Sequence, residues 1–207
     1  MKVVVTDTSP INYLVLIDSV DILLRLYRLV MVPEKVMAEL VDPGTPTKVM
    51  RWIQSHPDWV TVCVTREIRD ASLERLDPGE RAAISLAHEQ GPNVLLLMDD
   101  APGRTEASRR RIPTVGTLGV LRAAARHNLL DLSSTLDRLL DTNFRVSKHL
   151  VAELTNFRGS KPYVEAQPNQ LIPATRNPGR RPDSVPAANG RATSGCAVIG
   201  NDHENAR

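Results

Sequence analysis

The sequence predicts an α/β domain built on a parallel sheet with helices over both faces. Two observations lead there. Short β-branched or apolar runs of strand length recur at 3–6, 29–32, 59–65, 94–98 and 112–115, and between them lie segments with helix start signals and helical spacing of apolar residues. Strands separated by helices are joined by crossovers rather than hairpins, and right-handed crossovers bury a parallel sheet from both sides.

The elements follow in order. Val3 to Thr6 ends at Asp7, and Thr8-Ser9-Pro10 reads as a cap and a first-turn proline opening a helix over Ile11 to Ile17. A second helix starts at the Ser19 cap and runs through Asp21 to Arg28. Leu29 to Val32 is a buried strand, and Pro33 opens a helix through Leu40 that Asp42-Pro43-Gly44 stops. Thr47 to Ser55 is helical, Trp59 to Thr65 alternates as a strand, and Asp77-Pro78-Gly79-Glu80 opens an amphipathic helix to about Gln90. The apolar strand Val94 to Met98 ends at Asp99-Asp100. Gly103 to Arg111 is then helix, Ile112 to Val115 strand and Leu118 to His127 helix, with further helices over Ser134 to Leu140 and Ser147 to about Phe157. There is no internal repeat.

Composition bounds the function. The chain has 207 residues, 26 Lys and Arg against 24 Asp and Glu, and two cysteines without the spacing of a disulfide framework or zinc site. No apolar run approaches the roughly 20 residues that span a bilayer, and Met1-Lys2 leads straight into Val3 to Asp7 without a signal-peptide pattern. The expectation is a cytoplasmic protein with no membrane contact. Residues 159–207 hold six of the 15 prolines and five of the 11 glycines without apolar periodicity, which predicts a disordered tail behind a domain over 1–158. The near-zero net charge excludes broad electrostatic capture of nucleic acid, so a nucleic-acid function must rest on a site.

The chemistry stands at the strand ends. In an open parallel sheet ligands bind beyond the carboxyl ends of the strands, where this sequence puts Asp7 and the pair Asp99-Asp100. Glu39 flanks the apolar stripe of Val36, Leu40 and Val41, and Glu80 sits just inside its helix. If the two acidic strands are neighbours and those helices pack over the same end, four or five carboxylates converge. Such a group is stable at neutral pH with a cation among it, and oxygen-only ligands point to Mg²⁺ or Mn²⁺ and to phosphodiester chemistry. Each piece also has a plainer reading. Asp7-Thr8-Ser9 can be a capping loop, Asp77 to Glu80 matches a capping box, and Asp99-Asp100 before Ala-Pro-Gly can be a turn. Arg109 to Arg111 complements a helix C-terminus, with phosphate contact as the other reading. Gly116 to Gly119 is too short for a phosphate loop, the five histidines lack ligand spacing, and Ser9 has no nucleophile elbow.

Taken in order, Val-Thr-Asp7-Thr-Ser-Pro, Val-Pro33-Glu-Lys-Val-Met-Ala-Glu39-Leu, Pro-Gly-Glu80-Arg-Ala-Ala-Ile, Asp99-Asp100-Ala-Pro-Gly103-Arg104 and Gly116-Thr117-Leu118-Gly119 resemble the PIN-domain proteins, and more narrowly their VapC-type branch. The resemblance covers residues 2 to about 157. It implies a three-layer α/β/α fold and a Mg²⁺- or Mn²⁺-dependent ribonuclease, often the toxin of a toxin–antitoxin pair, acting as a homodimer and restrained by a small antitoxin protein. Carried over by position, it implies catalytic acids at Asp7, Glu39, Glu80 and Asp99. The metal would lie on Asp7, Glu80 and Asp99, with Asp100 as an alternative or supporting ligand, and Glu39 would bind a second ion or orient the attacking water. Thr8 and Ser9 would support the first acid, and Arg104 or Thr117 would meet a neighbouring phosphate. The alternative from another class is a catalytically silent PIN-like module that docks a protein; a small-molecule phosphatase is disfavoured by the absence of a second aspartate after Asp7.

Overall fold

A computed structural model describes residues 3–147. The reading of 159–207 as a tail and most of the helix read over Ser147 to Phe157 lie outside the described residues. The order is β1 (Val3–Thr6), α1 (Thr8–Leu16), α2 (Ile22–Tyr27), β2 (Val30–Pro33), α3 (Glu34–Leu40), α4 (Thr47–Gln54), β3 (Val60–Cys63), α5 (Pro78–Glu89), β4 (Val94–Leu97), α6 (Ala101–Arg109), β5 (Thr114–Val115), α7 (Thr117–Arg126) and α8 (Leu132–Leu140). Two short 3₁₀ turns, Ala71–Leu73 and Gly91–Asn93, were not read from the sequence; three residues are too few to carry periodicity.

The five strands form one parallel sheet in the order β3-β2-β1-β4-β5. Alternation along each strand divides the core in two. Val4, Val30, Val32, Val60 and Leu97 face one side, where they pack with residues of α1–α4, α7 and α8. Val5, Met31, Cys63, Leu96 and Met98 face the other, against α5, α6 and the Leu73–Leu76 segment. The result is three layers, helix on sheet on helix, as predicted.

The strand order positions the site. The chain winds from β1 through β2 to β3, then returns to place β4 on the opposite side of β1. The connections therefore diverge between β1 and β4, and the carboxyl ends of these two strands are where an open parallel sheet places its ligand crevice. Val3 to Thr6 pair with Val94 to Leu97, and the Asp7 amide donates to the Leu97 carbonyl at 3.0 Å. The ends carrying Asp7 and Asp99 are thus locked side by side.

Local boundaries differ from the reading in instructive ways. Pro33 pairs with Cys63 as the last residue of β2 and stands before α3 rather than inside it. Helix α6 begins at Ala101, because the Asp100 side chain accepts from the Gly103 amide at 2.6 Å and caps it.

Candidate active site

Asp7 is the deepest of the acids, 2 % exposed at the N-terminus of α1, and its Oδ1 has no hydrogen-bond partner among the described residues. Burial pushes its pKa up to about 7 against a counteracting bond from the Thr8 amide, and the charges of Glu80, Glu39 and Asp99 add to the rise. A carboxylate in this position is costly without a proton or a cation.

Glu39 is brought to the crevice by α3 and gripped from two sides. The Thr8 hydroxyl donates to Oε2 at 2.5 Å and the Gly79 amide donates to Oε1 at 2.7 Å. The resemblance implies Thr8 in support of Asp7; its amide bonds Asp7, while its hydroxyl donates to Glu39. Ser9, in the first turn of α1, makes no hydrogen bond to the acids among the described residues.

Glu80 combines two readings that the sequence left open. Its Oε2 accepts from the Asp77 amide at 3.1 Å, as a capping-box residue does. It also belongs to the cluster: burial, and then the charges of Asp100, Asp77 and Glu39, lift its pKa to about 7.

The acidic pair at the end of β4 divides its work. Asp99 accepts from the Thr117 amide at 2.8 Å and from the Thr117 hydroxyl at 2.5 Å. Burial raises its pKa, while the Thr117 bonds and the charge of Arg104 pull it back. Asp100 caps α6 and acts electrostatically on Glu80. Thr117 is fully buried, so its hydroxyl is committed to Asp99 and not presented to a phosphate. Arg104 is exposed on α6 beside this group. Arg109 and Arg110 pair with the buried Glu106 at 2.6 and 2.8 Å, a helix-terminal role away from the acids.

One neighbour escaped the sequence reading. Tyr13 on α1 feels the Asp99 charge, which together with burial raises its pKa, and its ring meets Phe144 edge-on with centroids 4.8 Å apart. Its position four residues after Ser9, one helical turn along α1, was the available signal.

These donors fit a hard divalent cation. Every group is a carboxylate, one buried oxygen lacks a partner among the described residues, and mutual repulsion accompanies burial. Among the described residues, no three His, Cys, Asp or Glu side chains stand disposed to hold an ion together as placed; the oxygens rest on backbone amides and threonine hydroxyls.

A parallel sheet with four carboxylates brought together at its switch point defines a nuclease-like α/β domain. A family model described as a PIN domain matches residues 3–159, and the chain belongs to the PIN-domain family. Among proteins of curated function, none matches it. PIN domains are in general metal-dependent nucleases. No helix among the described residues is long and apolar enough to cross a membrane.

Proposed function

We propose that the chain is a metal-dependent endoribonuclease hydrolysing phosphodiester bonds in single-stranded or looped RNA. The observation carrying this reading is the buried Asp7 carboxylate with an unpartnered oxygen, set at the switch point within electrostatic reach of Glu39, Glu80 and Asp99. Asp7, Glu80 and Asp99 would hold Mg²⁺ or Mn²⁺, with Asp100 as the alternative ligand. The bound ion supplies Lewis acidity at a phosphoryl oxygen and stabilises the charge of an in-line displacement. Glu39, held by Thr8 and the Gly79 amide, orients the attacking water or binds a second ion. Water attacks phosphorus and gives up a proton, the bond to the leaving sugar oxygen breaks and that oxygen takes up a proton from solvent, and Arg104 steadies a neighbouring phosphate.

The ordered motifs support a narrower assignment to the VapC-type branch. In that reading the chain is the toxin of a type II toxin–antitoxin pair, cytoplasmic and homodimeric. A small antitoxin covers the acidic crevice, where an inserted arginine would complement the carboxylates. The capping bond of Glu80 and the seating of the other acids on backbone amides favour a second reading, a silent PIN-like module that docks a protein.

The test is cleavage of a mixed single-stranded RNA pool by the full chain with Mg²⁺ or Mn²⁺, with EDTA, and with Asp7→Asn and Asp99→Asn. The nuclease reading expects cleavage that requires metal and is lost in both variants. A folded protein that leaves every RNA intact points to the docking module.

A further inference from the structure

Two of the acids are seated by the same device. Glu39 accepts one backbone amide at the start of α5, from Gly79, and one threonine hydroxyl, from Thr8. Asp99 accepts one backbone amide at the start of α7 and one threonine hydroxyl, both from Thr117. At each helix start the carboxylate lies where a glycine leaves room. A Cβ on Gly79 would meet three carboxyl atoms of Glu39, with Cδ and Oε1 both at 2.7 Å, and a Cβ on Gly116 would stand 2.7 Å from Asp99 Oδ1. These are closer than side-chain carbons come to oxygen. Neither glycine is required by its backbone: of the described glycines, only Gly91 has positive φ, and Gly116 is extended at φ −89°. Space, not conformation, selects glycine here.

We infer that Gly79 and Gly116 are positioning residues of the carboxylate cluster, their missing side chains letting Glu39 and Asp99 approach the α5 and α7 amides and so setting where these two carboxylates stand relative to Asp7 and Glu80. This rests on the nuclease reading. Residues that orient ligands from behind typically alter metal affinity about 10–100-fold when changed. Gly79 is the sharper case, because Glu39 comes from a different helix forty residues away and is free to be displaced.

The experiment uses the full chain and reads melting temperature, Mn²⁺ affinity by calorimetry and RNA cleavage for Gly79→Ala, Glu39→Ala, the double variant, Gly79→Ala with Glu39→Asp, and Gly116→Ala. Gly79→Ala is expected to lower the melting temperature in the parent chain and much less in Glu39→Ala, where the clashing carboxylate is gone. It should weaken Mn²⁺ binding about 10–100-fold, and Glu39→Asp, shorter by one methylene, should restore part of that loss. Gly116→Ala should weaken Mn²⁺ in the same range. Equal destabilisation by Gly79→Ala in both backgrounds overturns the seating, whatever the chain does to RNA. Unchanged Mn²⁺ affinity in the alanine variants overturns the positioning role. Seating confirmed by melting in a parent chain that binds no Mn²⁺ overturns the nuclease reading and reduces the glycines to packing residues.

Discussion

The Thr8 hydroxyl donates to Glu39 Oε2 at 2.5 Å, joining the first turn of α1 to the last turn of α3 across 31 residues. The bond is charge-assisted, the stronger kind. Thr8→Val keeps the shape and removes the donor. The expected loss is about 1–2 kcal/mol at pH 8, below the upper range for bonds to charged groups because both side chains are only half-buried. Urea denaturation checks this, and a midpoint equal to the parent's would show that the bond contributes nothing in solution.

Stability should fall as pH rises from about 4 to about 7 when no metal is present. Burial raises the pKa of Asp7 from 3.8 to about 7, and Glu80 from 4.5 to about 7. Between the unfolded and folded values the native state binds more protons than the unfolded chain, so the unfolding free energy has a negative slope with pH. The contribution is fully present below about pH 4 and lost by about pH 7. For Asp7 alone the ceiling is about 4 kcal/mol. Asp7→Asn should flatten the slope and stabilise the metal-free chain at pH 8 while abolishing Mn²⁺ binding. Melting curves in EDTA from pH 5 to pH 8 decide it; a variant less stable than the parent at pH 8 contradicts the argument.

How much of this was legible in the sequence depends on the range of the interaction. All five strands were read within a few residues, because β-branched and apolar runs are local signals. The placement of β4 against β1 was not, since strand order is set by packing between segments ninety residues apart; the convergence of the acids could only be stated conditionally. Asp99 and Asp100 were indistinguishable as neighbours in sequence, yet one residue of offset sends one to Thr117 and the other to the α6 cap. The sequence does not decide between cap and cluster for Glu80, because its carboxylate caps α5 and also feels the charges of Asp100 and Glu39. The seat of Glu39 on Gly79 had no sequence signature, since a glycine in a first turn reads only as a permissive residue.

The segment between β3 and α5 is fastened far from the acids, and loosening it should leave them untouched. Arg110 on the turn after α6 donates to Glu106 Oε2 at 2.8 Å, to Ser72 Oγ at 3.0 Å and to Asp70. Arg110→Ala strands the buried Glu106 with Arg109 as its close partner and releases the Ala71–Leu73 turn. Hydrogen exchange should accelerate at Ser72 and Leu73 and the melting temperature should drop, with Mn²⁺ affinity unchanged. Weaker Mn²⁺ binding in this variant would tie the segment to the site.

Asp99→Asn and Asp100→Asn separate the two members of the acidic pair. Asp100 is the N-cap of α6, its carboxylate accepting from the Gly103 amide, and asparagine caps about as well as aspartate. Asp100→Asn should therefore change stability by less than about 0.5 kcal/mol and, through the lost charge near Glu80, weaken Mn²⁺ modestly. Asp99 lies at the end of β4 with both oxygens on Thr117 and its charge acting on Asp7. An amide there can accept from the Thr117 amide through Oδ1 and donate through Nδ2 to the Thr117 hydroxyl oxygen, so Asp99→Asn should keep the seat on Thr117 while its lost charge removes Mn²⁺ binding. The readout is the rise in melting temperature with added Mn²⁺, which for a site filled at a hundred times its dissociation constant amounts to about 2.7 kcal/mol. That rise should survive in Asp100→Asn and vanish in Asp99→Asn; the reverse pattern would make Asp100 the principal ligand and assign Asp99 to holding α7.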